Sequence, residues 1–93
     1  MADWLKILKE QKKEGDRVRR EAPKMLANPD ITVDQVKALF QALEQQAEFT
    51  EKLKAALEGL GYDFDIVDAA GRLEDRYVNL AALAAEKLKG MRR

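Results

Sequence analysis

The chain has 93 residues, with 17 basic and 17 acidic side chains and neither histidine nor cysteine. Those two absences exclude disulfides, thiolate zinc sites, thiol nucleophiles, and imidazole as ligand, general base or pH switch. With 46% apolar and 37% charged residues, the composition fits one small folded domain, expected to bury about 64% of its unfolded surface around a thin core.

Apolar residues recur at spacings of three and four, and period-two alternation is nearly absent, so the chain reads as all-α. Trp4, Leu5, Ile7 and Leu8 open a first helix near residue 3, but its apolar face then nearly vanishes: between Lys9 and Lys24 only Val18 and Ala22 are clearly apolar, apart from Gly15 and Pro23. Glycine inside a helix costs about 1 kcal/mol and proline about 3. The first helix, about residues 3–22, is therefore expected to bend or break near Gly15 or Pro23 and to end by Ala22. Pro23–Ala27 would add a short turn, and Asn28-Pro29-Asp30 a tight connection.

The second helix, about residues 33–60, has the clearest start: Thr32 and Gln35 form a capping box, with Ile31 and Val36 as its hydrophobic staple. Its seam runs Val36, Leu39, Leu43, Gln46, Thr50, Leu53, Leu57 and Leu60, with Gln46 and Thr50 as a polar middle. Phe40, Ala42, Ala47, Phe49 and Ala56 widen the stripe on both sides, which suits packing against two neighbours. Gly61 is placed to take the left-handed conformation that ends the helix. A third helix, about residues 65–90, starts with Asp63 or Asp65 as its cap and has a seam of Ile66, Ala70, Leu73, Tyr77, Leu80 and Ala84. Short links force neighbouring helices antiparallel, which predicts an up-down-up three-helix bundle about 30–40 Å long.

In that arrangement the end of the first helix, the start of the second and the end of the third share a pole. Residues 17–37 and 82–93 carry nine basic and four acidic side chains, while residues 1–10 and 48–68, at the other pole, carry four and eight. Such polarity can grip phosphates or steer protein association, and it also arises from helix-dipole preferences alone. Arg17, Arg19, Arg20, Lys24, Lys87, Lys89, Arg92 and Arg93 are the candidates for binding phosphate or an acidic partner. Against a dedicated nucleic-acid domain stand the interleaved acids and the lack of any aromatic between Trp4 and Phe40.

Chemistry has few carriers here. Only Thr32, Thr50, Tyr62 and Tyr77 bear hydroxyls, and no glycine-rich phosphate loop is present. Asp63, Asp65 and Asp68 mimic part of a calcium loop but lack its sixth-position glycine, and Glu44, Glu48 and Glu51 share a helix face without histidine. No catalytic residue, metal, cofactor or small-molecule substrate is expected. The N-terminus has no signal-peptide pattern and no stretch is apolar enough to span a bilayer, so a cytoplasmic protein without membrane contact is expected.

The expected function is non-enzymatic: a small helical interaction module that binds a protein partner, or itself as a homo-oligomer, through an apolar helix face flanked by charge. Because the first helix is so polar beyond Lys9, part of the seam of the other two should lack a cover. Trp4, Leu8, Phe49, Leu73 and Tyr77 are the candidate contact residues. Nucleic-acid binding at the basic pole is the alternative.

Overall fold

A computed structural model describes residues 3–91. Helix α1 (Trp4–Ala27) starts where the Asp3 carboxylate accepts the Lys6 N–H at 3.1 Å. It does not end at Ala22 but runs past Gly15 and Pro23 as one helix. Pro23 deprives the Arg19 carbonyl of its donor and crowds it. On either side of it, however, Ala22 and Leu26 are buried with Ile31. Burying a leucine side chain contributes about 1.5–3 kcal/mol, comparable with the penalty for proline, so tertiary packing carries the helix one turn further than local propensity allows.

Gly15 is likewise a contact rather than a break. At this residue α1 lies hard against the third helix: a methyl group on Gly15 would overlap Leu73 Cδ1 and sit 3.6 Å from Tyr77 Oη. Next to it the Arg76 guanidinium donates to the Asp16 carboxylate at 2.8 Å, tying the two helices together.

The link from α1 turns at Asn28, whose side-chain oxygen accepts the Asp30 N–H at 2.9 Å. Helix α2 (Val33–Gly59) then begins with the expected capping box: Thr32 Oγ1 accepts the Gln35 N–H at 3.1 Å, and Gln35 Oε1 accepts the Thr32 N–H at 2.9 Å. The staple residues Ile31 and Val36 are both buried. At the far end Gly61 takes a φ of 77°. The Tyr62 N–H donates to the Leu57 carbonyl and the Gly61 N–H to the Glu58 carbonyl, each at 3.1 Å, which is the Schellman closure. Helix α3 (Phe64–Met91) follows at once, its first amides donating to the Asp63 carbonyl.

The three helices form an antiparallel all-α bundle, a rod of 48 × 21 × 19 Å. α2 and α3 are the intimate pair, and α1 packs more sparsely, chiefly on α3. Two apolar clusters fill the interior. One joins Leu26, Ile31, Val36, Leu43, Leu73, Tyr77 and Ala84, and the other joins Leu8, Leu53, Leu57, Val67 and Ala70. Thr50, fully buried between them, donates its hydroxyl proton within its own helix, where the Gln46 and Ala47 carbonyls both lie at 2.9 Å. Leu60, read as the last seam residue, is exposed instead, because the Schellman turn carries it past the end of the bundle.

Candidate interaction surface

Three of the five expected contact residues lie inside the bundle. Leu73 and Tyr77 are buried beneath α1, because Gly15 brings the backbone of α1 close enough to cover them despite the polarity of that helix. Leu8 is buried in the cluster with Leu53, Leu57, Val67 and Ala70, and Trp4 packs half-buried against the same cluster. Phe49 alone stays open, 44% exposed.

Tyr77, like Thr50, is a fully enclosed polar side chain. Its side chain has 0% exposure, and its hydroxyl has no hydrogen-bond partner among the described residues. Burial, reinforced by the nearby negative charge of Glu14, pushes its pKa above the usual value near 10.

At the basic pole, Arg17 is already engaged. Its guanidinium pairs with Glu14 and reaches Glu21 at 2.9 Å. The hydrogen bond from Arg17 holds the Glu14 carboxyl below its ordinary range and raises the Arg17 pKa in return. Arg19 borders a shallow hollow shared with Arg72, Asp75 and Arg76. Arg20, Lys24 and Lys89 are exposed and Lys87 is half-buried, whereas Arg92 and Arg93 lie outside the described residues.

Other hollows lie away from these residues: one of about 440 Å³, lined by Met25, Ile31, Gln35 and Leu39, sits where α1 passes into α2. Along one side of the α2/α3 pair runs a trough of about 460 Å³ walled by Phe40, Glu44, Ala47, Glu51, Glu74 and Val78. A second, of about 480 Å³, lies between Lys54 and Glu58 on α2 and Phe64, Val67 and Gly71 on α3, and the two share Glu74 as a wall. On α2 the lining positions are 40, 44, 47, 48, 51, 54 and 58, and on α3 they include 64, 67, 71, 74, 78 and 82. Both series contain a run in steps of three or four, so they form a second stripe beside the buried one, and no α1 residue lines it. Val78 is 50% exposed and Phe64 78%.

Phe49 lines neither trough. The expected contact set is therefore not assembled on one surface, and it does not contain the trough-lining residues Val78, Ala81, Ala82 and Glu74. On α3 they belong to a stripe that sets Phe64, Val67, Val78 and Ala82 beside Gly71 and Glu74, too mixed in polarity to read as an apolar face. Among the described residues no helix is long and apolar enough to cross a membrane, and no three carboxylates converge to hold a metal ion. The chain matches no protein-family model, no curated protein and no solved structure, so the functional reading rests on this geometry.

Proposed function

We propose that the chain is a non-enzymatic protein-interaction module that docks its partner along the outer α2/α3 seam, through apolar side chains flanked by charge. The carrying observation is the pair of adjoining troughs with Phe40, Ala47, Val78 and Phe64 at their walls. In a bundle this thin, such a surface is where further apolar area can be removed from water, at about 25 cal/mol per Å².

The test is site-specific photo-crosslinking in cells that express the chain natively, with a benzophenone side chain at Val78 and a control at Arg20 on the opposite helix. Discrete adducts at Val78 and none at Arg20 are expected. Adducts at Arg20 alone, or equal labelling at both, would overturn the reading.

Nucleic-acid binding at the basic pole is the second reading, favoured by the exposed Arg20, Lys24 and Lys89 and weakened by the two glutamates on Arg17. Anisotropy of labelled DNA and RNA at about 50 and 200 mM salt separates the two, because phosphate contacts weaken steeply over that range. The docking reading expects no such binding.

A further inference from the structure

We infer that the occupant of the α2/α3 seam is a basic amphipathic α-helix from another protein, about five turns long, with Lys or Arg on both flanks of an apolar seven-residue repeat. This rests on the docking reading of the same surface. Shape gives the first argument. The walls are two antiparallel helices, and the two hollows, which meet at Glu74, together line α2 from Phe40 to Glu58, about 27 Å at 1.5 Å per residue, with the Lys54 side chain lying over Gly71. A third rod laid in that trough packs as helices do in bundles, its apolar residues stepping by three and four to meet those of α2 and α3.

Charge gives the second argument. Seven carboxylates line the two troughs against two cations, Lys54 and Arg72. Arg72 is already held by Asp68 at 2.8 Å, and Glu48 by Lys52 at 3.2 Å. Glu44, Glu51 and Glu74 have no cation within ion-pair distance among the described residues. Glu44, Glu48 and Glu51 are spaced four and three apart on one wall, a spacing that cations on a facing helix can match. They do not converge on a metal ion. A second copy docked through the same surface would set acidic rim against acidic rim, which like-charge repulsion disfavours. The chain's own basic helix, α1, already spends Leu8, Ala22 and Leu26 in the core.

The experiment titrates the full chain into a fluorescein-labelled 18-residue Leu/Lys peptide with a seven-residue apolar repeat, and follows anisotropy and backbone amide NMR shifts. A Leu/Glu peptide of the same pattern, a Leu/Gln peptide and a scrambled Leu/Lys peptide serve as comparisons. The Leu/Lys peptide should bind most tightly and shift amides along 40–58 and 64–82. The triple variant Glu44→Gln, Glu51→Gln, Glu74→Gln should bind it at least tenfold more weakly, with its helix content by circular dichroism unchanged, and Val78→Glu should weaken it through the apolar floor. Equal binding of the scrambled or Leu/Glu peptide, or shifts confined to α1, would overturn the inference, as would a dimer in sedimentation equilibrium that Val78→Glu dissolves. If only the Leu/Gln peptide enters the trough, the charge assignment fails while docking stands. If no peptide enters and Val78 gives no crosslink, both fail.

Discussion

Gly15 makes two opposing contributions to stability, one through its own helix and one through the packing of α1 on α3. Its helix penalty of about 1 kcal/mol relative to alanine is real, but the missing side chain is what lets α1 rest on Leu73 and Tyr77. Gly15→Ala should therefore lose about 1 kcal/mol of stability in urea denaturation, because overpacking of about 1–3 kcal/mol outweighs the gain in propensity. Leu73→Val in the same chain should recover part of that loss, and additive effects of the two changes would sink the account. Tyr77 gives the complementary case. A hydroxyl buried without a partner costs stability, so Tyr77→Phe should be neutral or stabilising by up to about 1 kcal/mol. The raised pKa of Tyr77 also fixes a sign. Below about pH 10 the phenol is protonated in folded and unfolded chains alike; above it the unfolded chain releases its proton first, and the folded state loses stability as pH rises. Urea midpoints between pH 9 and 11 should fall less steeply for Tyr77→Phe than for the wild-type chain.

At the scale of elements, what the sequence revealed depended on whether the signal was local. Thr32, Gln35, Ile31 and Gly61 act through their own backbone neighbourhood, so both ends of α2 could be read from spacing. The end of α1 could not, because Pro23 is overruled by Leu26, whose burial depends on helices far along the chain. Gly61→Ala should cost about 1 kcal/mol, since its positive φ strains any Cβ although the space around it is open; a thermal melt unchanged from wild type would contradict this. Because α1 packs more sparsely than α2 and α3 pack on each other, its amides should exchange hydrogen through a lower-energy opening. Native-state exchange that protects Val18 as strongly as Leu53 and Tyr77 would show a single cooperative unit instead.

At the scale of the molecule, the up-down-up topology followed from short links and three periodic segments, but the open side did not. Which flank of α2 and α3 is covered depends on where α1 crosses, and that is set by the side chain Gly15 lacks. The accessible surface of 6567 Å² exceeds the roughly 5,500 Å² typical of this mass, so about 57% of the unfolded surface is buried instead of about 64%. The Cα radius of gyration of 14.8 Å is likewise larger than the roughly 12 Å of a compact chain of this length. Small-angle X-ray scattering of the free chain should give a monomeric rod near the larger value, and a radius close to the compact one would mean that α1 folds back differently.

The contact at Gly15 falls at the middle of α1, with 11 residues before it and 12 after it in a helix of 24. A stiff rod fastened at its midpoint behaves as the beam of a balance. Each arm is about 17 Å long, so a tilt of about 5° lifts one end by about 1.5 Å and presses the other inward by the same amount. Because Leu8 before that contact and Ala22 and Leu26 after it are buried, such a tilt would loosen one end of the core while overpacking the other.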